Sequence, residues 1–254
     1  MSPDDKGGSK DAVQTQRAYY AGTADRYDDM HASEHEGGKL AVSFLASAVG
    51  YLGIRSILDV GSGTGSALLR VRDVLPNLAM VGIEPSPELR AVGHSKGLSE
   101  AELIDGDAMN LPFGDGSFDL VCEFGALHHI PDPSKAVSEM LRVARRVIVI
   151  SDCNNFGQGS GFARLLKQSI HAVGLWPLAD FIKTMGKGYT ISEGDGLAYS
   201  YSVFKDYKQI AKSCKSVHFL NTTDGGPNLY RTASHVTLLG VKHPIAPAGS
   251  FGRG

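Results

Sequence analysis

The chain has 254 residues, of which 42% are hydrophobic and 20% charged, with a formal net charge of −2. That is enough chain to bury the core of one α/β domain, and the near-neutral balance lacks the broad basic field of a nucleic-acid-binding surface. Cys122, Cys153 and Cys214 form no C-x-x-C pair, no apolar run reaches membrane-spanning length and the N-terminus is polar, so a disulfide framework, a thiolate zinc site and a membrane span are all unexpected and the sequence reads as cytoplasmic.

In chain order, residues 1–10 and 244–254 are rich in Gly, Pro and Ser without periodicity and read as disordered tails around one domain, 11–243. From Asp11 to Met30 the pattern suits a helix broken near Gly22, and it brings Tyr19, Tyr20 and Tyr27 close together. His31 and His35 stand at i, i+4 beside Glu34 and Glu36, but the H-E-x-x-H order and a third ligand are missing, so no metal is expected there. Leu40, Ala41, Phe44, Leu45, Ala48 and Val49 mark an amphipathic scaffold helix.

Residues 55–65, Arg-Ser-Ile-Leu-Asp-Val-Gly-Ser-Gly-Thr-Gly, are the organising stretch. Ile57, Leu58 and Val60 read as a buried strand, and Gly61, Gly63 and Gly65 permit a tight turn and close approach of a ligand to the backbone. Ala67, Leu68, Val71, Val74 and Leu75 follow at helical spacing, so the turn opens onto a helix N-terminus whose free amides suit an electron-rich ligand. A second strand (Ala79–Ile83) ends at Glu84, the offset of an acid that binds a ribose diol in a βαβ unit. Ser86 and Pro87 then start a helix, as cap and first helical residue.

A third strand (101–104) leads to Asp107, and a fourth (118–122) leads to Glu123. Ligands of open α/β sheets sit beyond the carboxyl ends of strands, where Asp59, Glu84, Asp107 and Glu123 converge. After a helix marked by Ala136, Val137, Met140 and Leu141, the run Val147–Ile150 reads as a central strand buried on both faces. Residues 151–199 read as a hinge followed by a helical insertion that caps a pocket, with Phe156, Phe162 and Trp176 enclosing an apolar body and Asn154, Asn155 and Gln158 binding polar edges. Gly157, Gly159 and Gly161 read as a flexible hinge, a phosphate cradle being the alternative. A helix over 201–213, strands at 217–220 and 236–241 and a Gly/Pro/Asn-rich link between the strands complete the chain.

The glycines read G-x-G-x-G, with Ser66 where a dinucleotide fingerprint needs glycine, which disfavours a nicotinamide-dependent oxidoreductase. With Asp59 ahead of them, and followed by Val81-Gly82-Ile83-Glu84, Asp105-Gly106-Asp107-Ala108, Gly116-Ser117-Phe118-Asp119 and Gly125-Ala126-Leu127-His128-His129-Ile130, the stretch 55–151 resembles the class I S-adenosylmethionine-dependent methyltransferases, of the small-molecule type with a ubiquinone/menaquinone-biosynthesis-like core. Many relatives carry a Lys-Pro-Gly-Gly turn before the fifth strand, where this chain has Ala144-Arg145-Arg146.

The resemblance implies a Rossmann-like three-layer sandwich, a seven-stranded mostly parallel sheet with its last strand antiparallel, a cofactor cap at 11–54 and a helical substrate lid at 151–199. It implies S-adenosylmethionine as cofactor, with Glu84 on the ribose, Pro85 against the adenine, Asp107 and Ala108 at the adenine edge, Asp59 ordering the loop or a water near the methionine ammonium, Gly61 and Gly63 beneath it, Glu123 contributing mostly backbone and Tyr27 folded over it. His128 or His129, one of them facing the pocket, is the candidate general base for an oxygen nucleophile on a small molecule. The alternatives are a nitrogen or carbon acceptor, or a cofactor-binding regulatory protein without turnover. The Asp152, Asn154 and Asn155 set resembles the magnesium ligands of catechol-type methyltransferases too poorly in spacing to imply a metal.

Overall fold

The computed structural model describes residues 5–30, 35–222, 226 and 228–242. Helix α1 (Asp5–Thr23) stops just after Gly22, and a 3-10 turn at 24–26 leads into the short α2 (Tyr27–Met30). The helix reaches back to Asp5, inside the stretch read as a tail. Once residues beyond Ala12 are packed, each added residue gains a hydrogen bond without a new nucleation cost. Residues 31–34, with His31 of the histidine pair, lie outside the described residues. Helix α3 (His35–Leu52) buries Ala41, Val42, Leu45, Val49 and Leu52 along one face.

Strand β1 (Ser56–Val60) runs through the glycine turn into α4 (Ser66–Val74), and β2 (Ala79–Ile83) into α5 (Pro87–Ser95). The Ser86 cap is present, its Oγ accepting from Leu89 N at 3.3 Å. Strand β3 (Leu103–Ile104) is shorter than read, because Glu102 accepts from both Ser99 N and Ser99 Oγ at 2.8 Å and so spends the preceding residues on a turn. Strand β4 (Phe118–Phe124) is longer and takes in Glu123. Helix α6 (Pro133–Val143) passes without a turn into β5 (Ala144–Cys153). Arg146 anchors that junction by donating to Leu52 O at 2.7 Å, and Arg145 by pairing with Asp119.

The 151–199 segment is only half helical: α7 (Gly161–Ala172) and α8 (Trp176–Lys183) precede an antiparallel hairpin of β6 (Tyr189–Ser192) and β7 (Gly196–Tyr199). Helix α9 (Tyr207–Ser213) and strands β8 (Ser216–Asn221) and β9 (His235–Val241) follow.

The seven-stranded sheet has the order β3-β2-β1-β4-β5-β9-β8. The first five of these strands are parallel, and β9 lies antiparallel between β5 and β8, as the resemblance implied. Alternate side chains feed two cores. Leu120, Cys122, Val147 and Val149 pack against α3 and α4, while Val121, Ile148 and Ile150 pack against α6 and α9, giving three layers. Among the described residues no helix is long and apolar enough to cross a membrane.

Candidate active site

Beyond the carboxyl ends of β1, β2, β4 and β5, a two-lobed cavity opens between the sheet edge, α1–α2 and the β6–β7 hairpin. The larger lobe holds about 530 Å³ and the smaller about 280 Å³, and Tyr27, Gly61, Gly63, Phe124, Gly125 and His129 line both. The two lobes therefore adjoin one another along these residues.

The glycine turn forms the floor between them. Gly61, Gly63 and Gly65 have φ of 72°, 54° and 72°, a region that side chains with a Cβ rarely enter. The three are not equivalent. A Cβ on Gly61 would lie 2.4 Å from Ala126 Cβ and one on Gly65 2.1 Å from Leu98 Cδ1, whereas one on Gly63 would meet only the Tyr27 ring at 3.6 Å. Gly61 and Gly65 thus serve chain packing, and Gly63 keeps the cavity floor open beneath Tyr27.

Glu84 lies just past β2 and is 4% exposed. Its Oε2 accepts from Gly63 N at 3.0 Å and its Oε1 from Ser86 N at 2.9 Å, so the acid ties the glycine turn to the start of α5. Burial pushes its pKa up to about 7, against the pull of those two amides. Pro85, Asp107 and Ala108 line the smaller lobe with Ile83 and Met109, and Asp107 Oδ1 accepts from Met109 N at 2.8 Å. Asp59 lines the larger lobe, and its Oδ2 is buried without a hydrogen-bond partner. Burial lifts its pKa to about 6. A buried unpartnered carboxylate oxygen is costly unless a cation or donor meets it.

Glu123 does not line the cavity. Because β4 extends through Phe124, Glu123 sits inside the strand with its carboxylate beneath the next loop, where Oε2 accepts from Ala126 N at 3.0 Å. Burial and the nearby Asp152 carboxylate hold its pKa well above the usual range. The chain after Glu123 supplies the lining instead, through Phe124 and Gly125.

Both histidines face the cavity, where one was expected. Residues 127–129 form a 3-10 turn, not a strand, so the two rings stay on one side with centroids 4.0 Å apart. His128 Nδ1 is 2.7 Å from Asp152 Oδ1, and His129 Nδ1 donates to Leu197 O at 2.7 Å. Both Nε2 atoms then point at Asp195, in the hairpin turn, at 3.4 and 3.2 Å. Burial alone would lower the pKa of His128, but Asp152 and Asp195 outweigh it and hold the imidazole well above its ordinary value. Despite burial, the same contacts keep both carboxyls well below theirs. Two carboxylates, 2.7 and 3.4 Å from its nitrogens, thus favour the charged form of His128. With Nδ1 of His129 on Leu197 O, its Nε2 is the ring atom turned to Asp195 and the cavity. His128, His129 and Asp195 are also close enough to share a divalent cation.

Several readings of the 151–199 segment are corrected. Asn154 is no substrate or metal ligand. Its Nδ2 donates to Leu229 O, Tyr230 O and Ala233 O at 3.2, 2.8 and 3.0 Å, and its Oδ1 accepts from Ser202 Oγ at 2.9 Å. A Cβ on Gly157 would lie 1.8 Å from Ala233 O, so that glycine is a packing requirement, neither hinge nor phosphate cradle. Phe156 packs on His171, Trp176 and Tyr230, away from the cavity, and Phe162 is 77% exposed. The lid lines the larger lobe with polar groups: Asn155, Gln158, Lys183, Thr190, Ser192 and Asp195. Asn155 Oδ1 is buried and unpartnered.

Sequence reasoning missed Asp152 and Asp195 as partners of the histidines. Asp28, next to Tyr27, pairs with Lys96 and accepts from Thr64 Oγ1 at 2.6 Å, locking α2 over the glycine turn.

A family model described as a methyltransferase domain matches residues 58–147. The chain is 37% identical over 95 residues to norajmaline N-methyltransferase of Rauvolfia serpentina, covering 35% of this chain and 32% of that protein. It is 36% identical over 101 residues to demethylmenaquinone methyltransferase of Renibacterium salmoninarum, covering 40% and 41%. The chain thus spans about a third to two-fifths of the length of the curated relatives it matches. The fold matches magnesium protoporphyrin IX methyltransferase from Synechocystis PCC 6803, solved with bound SAH, at a TM-score of 0.58 and 17% identity over 91% of this chain and 100% of that one. Residues 58–147 are thus similar to a methyltransferase domain, and the strand order gives the chain the fold of that methyltransferase structure.

Proposed function

We propose that this protein transfers the methyl group of S-adenosylmethionine to an oxygen nucleophile on a small, partly polar molecule. The observation that carries this reading is that the glycine turn and Asp59 line the same lobe as the His128–His129–Asp195 cluster, with the lobe holding Glu84 and Asp107 adjoining it. The donor supplies a methyl already made electrophilic by a sulfonium, so alignment is the main task of the protein. The residues present fit that donor. Asp59 Oδ2 is a buried acceptor that lacks a cation, Glu84 keeps lone pairs for a ribose diol, and Ile83, Pro85, Ala108 and Met109 form an apolar slot for adenine with Asp107 at its edge. Tyr27 closes over Gly63.

At the other end, Asn155 Oδ1 accepts from a donor group of the acceptor molecule, and His129 Nε2 takes the hydroxyl proton as the oxygen–methyl bond forms and the carbon–sulfur electron pair leaves with sulfur. Asp195 stabilises the imidazolium that results, while His128, already cationic, holds Asp195 in place. The relative named an N-methyltransferase takes a nitrogen acceptor by its name. A free amine needs no base, so the histidine–aspartate cluster favours oxygen here. With an acceptor identified by metabolite trapping, His129→Gln is expected to lower turnover by about a hundredfold or more and to leave adenosylmethionine affinity intact, with a smaller loss for His128→Gln. Near-full turnover in both variants across the pH range would overturn the base and favour a nitrogen or carbon acceptor.

A further inference from the structure

Helices α7 and α8 are built inside out. On α7, Phe162, Leu165, Leu166 and Val173, the last just past the helix end, recur at the spacing of a core-facing stripe, yet each is between 50% and 77% exposed. On α8, Leu178, Phe181, Ile182 and Met185, the last just past the helix end, do the same at 57% to 82%. The polar side chains turn the other way, toward the body of the protein. Lys167 donates to Gln158 O at 2.9 Å, Gln168 to Phe156 O and Arg231 O at 2.9 Å, and His171 meets the Tyr230 hydroxyl at 2.9 Å. On α8, Asp180 accepts from Ser200, and Thr184 is buried. The inner faces are thus fixed by specific hydrogen bonds, and the outward stripes are the consequence.

We infer that this outer face docks on an anionic lipid surface. Residues 161–188 carry Arg164, Lys167, Lys183 and Lys187 against the single acid Asp180, a net +3 in a chain of net −2. Among the described residues Arg164, Lys183 and Lys187 form no ion pair. A large apolar stripe with basic residues at its border is the pattern of a helix that lies in a headgroup layer. A second copy of the chain is the less favoured occupant, because face-to-face packing would set +3 against +3. The face also borders the cavity, since Lys183, Thr190 and Ser192 line the larger lobe. An amphiphilic acceptor held in a bilayer would reach the lobe there, a consequence that rests on the methyl-transfer reading while the docking itself does not.

The test is co-sedimentation of the full chain with vesicles of phosphatidylcholine alone and of phosphatidylcholine mixed equally with phosphatidylglycerol. Binding to the mixed vesicles is expected to be tighter by about tenfold or more, and to weaken as salt is raised. Phe181→Ser with Ile182→Ser, at exposed positions and so with unchanged melting, is expected to cost about tenfold. Arg164→Glu with Lys187→Glu is expected to cost at least as much, since each basic residue at such a surface contributes on the order of fivefold. No sedimentation with mixed vesicles, or sedimentation indifferent to both variants, overturns the inference. So does a concentration-dependent dimer that the Phe181→Ser/Ile182→Ser variant abolishes, which assigns the face to a second copy. Adenosylmethionine calorimetry on the same preparation separates the two readings: intact cofactor binding without vesicle binding sinks the docking alone, and the reverse sinks the methyl-transfer reading alone.

Discussion

Adenosylmethionine affinity should rise with pH through the neutral range, and Glu84 should be the cause. In the free protein its carboxyl is 4% exposed and its pKa is lifted by burial from 4.5 to about 7. A ribose diol donates to the ionised form, so below pH 7 binding must expel a proton. At pH 6 about one Glu84 in ten is ionised, which weakens binding about tenfold relative to pH 8. Asp59, lifted from 3.8 to about 6, adds roughly a further factor of two. The expected change is thus about twentyfold between pH 6 and 8, with about one and a half protons released per ligand at pH 6, as measured by titration calorimetry in buffers of different ionisation heat. Glu84→Gln should flatten most of this slope. It should also cost about 1.5 to 3 kcal/mol of binding at pH 8, the worth of a charge-assisted hydrogen bond, or roughly 10- to 150-fold in affinity. The same shift acts on stability. An acid raised on folding stabilises fully below its ordinary 4.5, and that contribution, about 3 kcal/mol for a shift of this size, is lost as pH climbs through about 7. An affinity flat from pH 6 to 8, or a slope that survives in Glu84→Gln, would show that the ribose is not on this acid.

Gly63→Val places a β-branched side chain at φ 54° beneath Tyr27, at a cost of about 1 to 3 kcal/mol; the protein should still melt cooperatively but show no adenosylmethionine binding, and unchanged affinity would mean the glycine serves the turn alone. Asn154→Ala removes the donor shared by the carbonyls of Leu229, Tyr230 and Ala233 and should destabilise the fold by about 2 to 4 kcal/mol in denaturant titration, an unmoved midpoint arguing against the clamp. His128, raised above its ordinary 6.5, contributes stability that is fully present below that value and is lost as pH rises through its folded pKa. Its imidazole should be protonated at neutral pH by NMR and should titrate lower in Asp195→Asn, and a neutral ring at pH 7 would refute the two-carboxylate cradle.

The sheet and the cavity-lining residues at its strand ends were legible in the sequence because their signals are local. A buried parallel strand must be apolar throughout, so Ile57-Leu58 and Val147–Ile150 announce themselves, and a strand-to-helix turn under a ligand needs glycine at set positions. Glu84, Asp59 and Asp107 follow because each strand end is a fixed offset from its apolar run, and all parallel strands end on one edge. β4 runs two residues further than its apolar run, through Phe124, which puts the Glu123 carboxylate under a loop and leaves the lining there to Phe124 and Gly125.

What depends on contacts between distant residues was decided only by tertiary structure. Asp195 lies 66 residues beyond His129, in a hairpin that the Tyr189–Tyr199 stretch does not signal by helical or strand period, yet it meets the Nε2 atoms of both histidines. Asn154 and Gly157 read as loop residues and prove to be clamps, since the carbonyls they meet come from 229–233. The apolar stripes of α7 and α8 are the plainest case. Hydrophobic period tells that a helix has an apolar face but not where that face points, because the direction is set by which side of the helix finds hydrogen-bond partners on the body of the protein. Here the polar side found them, in Phe156, Gln158, Ser200 and Tyr230, and the apolar side was turned outward.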